Sequence, residues 1–443
     1  MISLAATARD ALVNNKLTRD IVWSMGSFFI LAISGIVINI TVAAFRDAAA
    51  LGVFNLAYAV YIVASQLAIW GIHYSVLRYA AYYRDNPTER DTMFFTAVAI
   101  ALVLGAIAAV ILFVAAPGLG RLFQSPDAGA AMGFAAFGLL LFPLNKVLLA
   151  FLNGLREMKA FSVLQAIRYL TVMASVSAIA ASSVSIKYTT LGFLIAETVT
   201  ALGVGFVIYR HSLAGKIKVS AHWMRMHFKF GTKGLAGGMF AEFNSRIDVL
   251  MIGFFLTDHA TGIYSFAAML VDGLYHVIAM IRTNFNPVLV TAVKESKWLD
   301  AQNLMRQSRR YIFVTVVSLA LCIALAYWIL AVIVLPSKGL TEGIPSLLIL
   351  LFGVSLASIF IPFDNLMVVS GHPGYQAMQQ IGAVVANATI GAMLLPQIGV
   401  EGAAISTAMS YACNVVLLVV FTRRLLGWDL INNSVRQNHL MVK

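Results

Sequence analysis

Lys146, Arg168, Arg246 and Arg282 stand inside long apolar runs of the sequence, and so do Glu197, Glu242, Asp248, Asp272, His276 and Asp364. A charged side chain at the centre of a bilayer costs about 2.5–3.5 kcal/mol on insertion scales, so such groups face protein or water rather than lipid. Guanidinium groups at that depth can hold an anion through paired hydrogen bonds, while buried acids and a histidine can carry a proton or a small cation. Arg246 is the central case. It lies in the middle of the run 234–257 together with Glu242, Asn244 and Asp248. Two readings stay open for it: an ion pair with Glu242, four positions back on one helical face, or a contact to an anion in a cavity that the helix lines.

The other charged positions divide in the same way. Asp272 and His276 are four apart on one face of a predicted helix, as a polar seam towards neighbours or as a protonation and ion-coupling pair. Arg168, one turn after Gln165, faces a choice between a cavity and internal pairing, and Lys146, close after Pro143, between pairing and substrate contact, while Arg282 is a further cation inside a predicted helix. Asp364, beside Pro362, suits cation coordination at a broken helix. No cofactor is expected. The chain has no Gly-rich phosphate loop with its lysine and no histidine pair at metal spacing, so an enzyme is excluded and no metal site is expected.

The elements that must position these groups follow from composition. With 60% hydrophobic and 11% charged residues, and a mean hydropathy of +0.86, the sequence is that of an integral membrane protein. Runs of spanning length occur at 21–45, 51–77, 92–116, 129–152, 161–181, 190–209, 234–257, 261–290, 311–335, 344–370, 376–395 and 401–421. They predict an all-α polytopic fold of twelve transmembrane helices, with Pro345, Pro362 and Asp364 kinking the tenth. Cys322 and Cys413 fall in apolar runs on different helices and read as packing residues.

Orientation follows from lysine and arginine. Nearly all of those outside the runs fall on one side, and only Arg46, Arg121, Lys187 and Lys338 on the other. By the positive-inside rule both termini are cytoplasmic. The net charge of +12 is thereby explained by loops facing an anionic leaflet, with no nucleic-acid partner. Residues 1–20 read as a cytoplasmic tail without a cleavable leader. The basic stretch 210–233, which carries Trp223, reads as an interfacial connector, and 426–443 as a second tail.

The chain also repeats weakly. DAAALGVFNLAYAV from Asp47 resembles DHATGIYSFAAMLV from Asp258, aligning Gly52 with Gly262, and at the same offset Gly192 and Ile195 match Gly402 and Ile405. Pro143, Asn145 and Gly154 have looser counterparts in Pro362, Asp364 and Gly371. The expectation is two six-helix bundles, 21–209 and 234–425, around a central cleft.

Several stretches carry a family resemblance: Asn244-Ser245-Arg246-Ile247-Asp248, Gly262-Ile263-Tyr264-Ser265, Pro287, and Gly399-Val400-Glu401-Gly402-Ala403-Ala404. Through them the sequence resembles the oligosaccharide flippases of bacterial polysaccharide synthesis. That is a branch of the superfamily holding multidrug extruders and peptidoglycan lipid flippases. The resemblance implies an alternating-access carrier in the bacterial inner membrane that moves an undecaprenyl-pyrophosphate-linked oligosaccharide, among membrane lipids and with a polysaccharide polymerase and glycosyltransferases as partners. Two departures stand out: peptidoglycan flippases usually have fourteen helices, and extruders often place an acid on the first helix, which 21–45 lacks.

A pyrophosphate crossing about 30 Å of hydrocarbon needs fixed cations, and Arg246, Arg282, Arg168 and Lys146 are the candidates. Glu242, Asp248, Asp272, His276 and Asp364 are the candidates for ion coupling. The alternative is a proton- or sodium-coupled multidrug antiporter using Glu242, Asp248 or Asp272 as its acid. Interior charge separates the two: net positive favours lipid phosphate, net negative favours cationic drugs.

Overall fold

The computed structural model describes residues 16–211, 217–295 and 298–435. Of the expected tails, residues 1–15 and 436–443 lie outside the described residues, Lys16 already belongs to the first helix, and 428–435 form a hairpin rather than a free tail. The helices are α1 (Lys16–Phe45), α2 (Ala48–Ile69), α3 (Ile72–Tyr82), α4 (Pro87–Leu122), α5 (Pro126–Gly154), α6 (Met158–Ala181), α7 (Leu191–His211) and α8 (Ala221–Asn244). They continue as α9 (Ile247–Phe255), α10 (Asp258–Lys294), α11 (Trp298–Trp328), α12 (Ile344–Ala357), the single turn α13 (Leu366–Val369), α14 (Pro373–Ile398) and α15 (Val400–Leu425). A two-stranded antiparallel hairpin, β1 (Trp428–Asp429) and β2 (Ser434–Val435), follows α15.

Eleven helices among the described residues are long and apolar enough to cross a membrane. Their lipid-facing character is visible along α4, where Val103, Ile107, Val110 and Val114 are exposed at helical spacing. The remaining expected span, 234–257, comes in two pieces, because α8 ends at Asn244 and α9 starts at Ile247. The second expected span also ends early: Trp70 and Gly71 adopt positive φ, and the chain restarts as α3. The run 344–370 breaks after Ala357 into a 3-10 turn (Ile361–Phe363) and α13. Proline-containing starts and side-chain caps set the other boundaries. Asn86 accepts from the Glu89 amide ahead of α4, Ser125 from Ala128 ahead of α5, and Thr257 from Ala260 ahead of α10.

The chain divides into two compact units. The first takes residues 1–46 and 53–242, the second 47–52 and 243–443. The core of the first unit gathers Ile72 and Val76 of α3, Met93 and Phe94 of α4, Phe151 of α5 and Trp223 of α8. Residues 221–233, assigned by sequence to the connector, thus form the first turns of α8. Trp223 is 2% exposed; its indole N–H donates to Glu89 Oε1 at 2.6 Å, and its ring meets the edges of Tyr79 and Tyr83.

One turn on, His227 is fully buried between Ser75 Oγ (2.9 Å from Nδ1) and the Met93 carbonyl (3.1 Å from Nε2). The carbonyl only accepts, so the neutral ring carries its proton on Nε2 and takes the Ser75 hydroxyl hydrogen on Nδ1. In the second unit, the glycines aligned by the repeat pack on one another: a Cβ at Gly52 would strike the Asp258 carbonyl, and one at Gly262 would strike that of Ala48. Only glycine permits this backbone approach.

Burial drives the His227 imidazole down to about 4, against an opposing hydrogen bond to the Met93 carbonyl. The unfolded ring protonates near pH 6.5 and the folded one does not, so stability is full above that pH and falls as the medium is acidified towards 4. Lowering the pH from 7 to 5 is expected to cost about 2 kcal/mol through this group. Melting of the purified protein at both pH values should show it, and His227→Gln should flatten the difference.

Candidate functional site

In the first unit the interior charges converge on one carboxylate. Glu197, on α7 and 1% exposed, accepts on Oε1 from Arg168 through Nε at 2.8 Å and also through Nη2. Asn145 Nδ2 donates to Oε2 at 2.6 Å and to the Glu197 backbone carbonyl at 2.7 Å, and the Tyr61 hydroxyl approaches Oε1 at 3.4 Å. Tyr61 itself stacks on Phe193, with ring centres 4.6 Å apart. Arg168 lies 5.0 Å from the centre of the Phe142 ring and the Lys146 ammonium 5.4 Å from the same ring. Lys146 also lies in the field of Glu242, the last residue of this unit. The structure therefore brings Arg168 and Lys146 together, and Arg168 is engaged by a partner that sequence reasoning did not assign to it. Residues 29 positions apart on different helices leave no local signal.

In the second unit a polar seam follows α10. Tyr264, Asp272, Tyr275 and Arg282 are spaced to share one face of that helix. At one end the Tyr264 hydroxyl donates to Asp248 Oδ2 at 2.6 Å and lies 3.0 Å from Thr407 Oγ1 of α15. Asp248 Oδ1 accepts from the Val249 amide at 2.9 Å. In the middle, half-buried Asp272 lies in the fields of Arg246 and Asp248, while Tyr275 stacks on Tyr411 at 6.1 Å.

At the other end Asp364, 5% exposed, accepts from three side chains. Gln379 Nε2 reaches Oδ1 at 2.6 Å and Asn414 Nδ2 reaches it at 3.0 Å, while Arg282 Nη1 reaches Oδ2 at 3.2 Å. The seam thus gathers Asp248, Asp272, Arg282 and Asp364, whereas His276 is exposed.

Arg246 falls in the break between α8 and α9, at φ −126° and ψ −9°. A continuous helical face carrying Glu242 and Arg246 one turn apart is therefore not formed. Ser245 and Arg246 leave the helix, and Asp248 restarts it within the first turn of α9. Acid at that position complements the partial positive charge of the helix start. Among the described interior groups of the second unit, Asp248, Asp272 and Asp364 outnumber Arg246 and Arg282. No cluster of three or more metal-ligating side chains occurs among the described residues. A separate cavity of about 480 Å³ is walled by His259, Glu342 and Glu401 and shares no residue with the seam.

Two units of membrane-length helices with ion-paired interiors define a polytopic membrane protein. Residues 17–293 match the family model described as polysaccharide biosynthesis protein, and the chain belongs to that family. No curated protein sequence matches it. Among solved structures it resembles the lipid II flippase MurJ in an inward closed conformation, with TM-score 0.73 and 14% identity over 91% of this chain and 87% of that one. An inward-facing multidrug resistance MATE family transporter of the MOP superfamily is similar with TM-score 0.73 and 12% identity, over 91% and 96%. A third likeness is a MOP superfamily transporter from Pyrococcus furiosus, described by the reverse polarity of its binding pocket, with TM-score 0.57 and 13% identity over 93% and 96%. These likenesses establish the fold of flippases and transporters of that superfamily.

Removing one member of a buried ion pair typically costs about 3–5 kcal/mol, because the other charge is left uncompensated. Glu197→Gln should therefore destabilise the purified protein strongly in a thermal melt. Adding Arg168→Met to it should recover most of the loss.

Proposed function

We propose that this protein is a flippase that carries a polyprenyl-pyrophosphate-linked oligosaccharide across the inner membrane by alternating access, for cell-surface polysaccharide synthesis. The observation that carries the reading is the match of residues 17–293 to the polysaccharide biosynthesis family. Geometry adds support. Glu197, Asp248 and Asp364 are already held by donors, which makes them poor fixed counter-ions for a cationic drug.

In this reading Arg246, placed in the break between α8 and α9, meets the pyrophosphate. Arg282, in the same unit, and Lys146, in the other, are the further candidate cations, and Arg168 acts indirectly by neutralising Glu197. Asp272, in the fields of Arg246 and Asp248, is the leading coupling acid, with Asp248, Glu242, His276 and Asp364 as further coupling groups. A polymerase and glycosyltransferases are the partners that such a substrate requires.

A second reading, an ion-coupled multidrug antiporter, is favoured by one observation: acids exceed bases in the interior of the second unit. Cells lacking their own carrier separate the two. With the chain restored, lipid-linked oligosaccharide should reach the outer leaflet. Arg246→Ala at matched expression should reduce that by tenfold or more, and Arg246→Lys should restore only part, because a lysine cannot offer a planar fork. Full flipping by both variants would remove Arg246 from the site, and no flipping by the unmodified chain would support the antiporter.

A further inference from the structure

The hairpin after α15 is built into the second unit rather than appended to it. Trp428 and Leu430 are wholly buried, in one cluster with Leu289 and Ala292 of α10, Ala301 and Met305 of α11, and Phe363, Leu366 and Met367 of the broken segment after α12. A helix of 31 residues is about 46 Å long and outruns about 30 Å of hydrocarbon. The first turns of α11 supply the anchors. Gln302 and Asn433 exchange side-chain to backbone hydrogen bonds of 2.9 and 2.8 Å, and Trp428 Nε1 donates to Asn433 Oδ1 at 3.2 Å. Arg309 donates to the carbonyls of Leu430 and Ile431, and its guanidinium lies 5.7 Å from the centre of the Phe360 ring.

What the clip holds is an irregular stretch that presents an interior acid, Asp364. Between Ala357 and Leu366 the backbone is a chain of tight turns, with the Phe360, Phe363 and Asp364 amides bonded only to carbonyls three residues back. Such a stretch has little rigidity of its own, and its conformation is set by what packs against it. The Trp428 ring meets the Phe363 ring edge-on, with centres 6.1 Å apart and planes at 85°. Phe285 closes on the same ring at 5.8 Å, one turn along α10 from Arg282. The next residue after Phe363 is Asp364, which holds Arg282, Gln379 and Asn414.

We propose that Trp428 is a positioning residue. The C-terminal hairpin wedges Phe363 in place so that the Asp364 carboxylate fixes the Arg282 guanidinium in the seam. This ties an element outside the membrane to a charge pair within it. The relevance to transport rests on the proposed role of Arg282, but the positioning claim is tested apart from transport. Hydrogen–deuterium exchange of the full-length purified protein reads the amides of 358–370 directly.

In Trp428→Ala these amides should exchange at least tenfold faster while α14 and the membrane portion of α10 keep their protection. Trp428→Phe should restore most of the difference, since a phenyl ring can still meet Phe363. Unchanged exchange at 358–370, or equal loosening of the whole unit, would overturn the proposal. Flipping measured in the same variants reports the functional link. Trp428→Ala should lower it several-fold, yet add nothing further in an Asp364→Asn background. Additive losses there would show that Trp428 does not act through Asp364. Local loosening combined with full activity of Arg282→Ala would leave the positioning intact and remove Arg282 from the proposed function.

Discussion

Irregular backbone at membrane depth survives only where protein groups satisfy its freed amides and carbonyls. This constraint organises the second unit. Its helices break at Ser245–Arg246 and again after Ala357, and each break presents a charged residue, Arg246 at the first and Asp364 at the second. The break after Ala357 closes on itself with tight turns and a shell of buried aromatic rings, and its acid is saturated by Arg282, Gln379 and Asn414. The start of α9 places Asp248 where a helix terminus, the Val249 amide and the Tyr264 hydroxyl meet. Charge and broken helix thus occur together, because each needs the polar surroundings that the other supplies.

The first unit meets the same constraint differently. Its helices carry their interior charges without a matching break: Pro143 lies inside the continuous helix α5, two residues from Asn145. The charges instead neutralise one another through Arg168 and Glu197, with Asn145 donating to the second carboxylate oxygen and the Tyr61 hydroxyl approaching the first. A buried pair with a full set of hydrogen bonds is strongly directional. It ties α5, α6 and α7 to one another. The units thus arrange their interior charges differently, with closed pairing in one and a seam of hydroxyls and carboxylates in the other.

Much of this was legible in the sequence. Apolar runs gave the membrane helices, the proline-flanked Asp364 pointed to a broken span, and the four polar residues of 234–257 pointed to an unusual helix. Three features were not legible, for physical reasons. The partner of Arg168 is a long-range choice among several acids, made by tertiary packing. Trp223 looked like an interfacial aromatic in a basic loop, because its burial depends on Glu89, Tyr79 and Tyr83, far away in the chain. The hairpin at Trp428 was invisible because two short strands have almost no periodicity, and its anchors, Gln302 and Arg309, lie more than a hundred residues away in the chain. Local pattern reports which residues must avoid lipid; only the fold reports which groups they meet.

The central claim is that fixed cations in the helix interior hold a lipid pyrophosphate. Native mass spectrometry of the purified protein, mixed with polyprenyl pyrophosphate and with a cationic dye in turn, tests it most directly. The account predicts that the pyrophosphate lipid stays bound through detergent removal, is lost from an Arg246→Ala, Arg282→Ala double variant, and is not displaced by the dye. Retention of the dye with no retention of the lipid would contradict it.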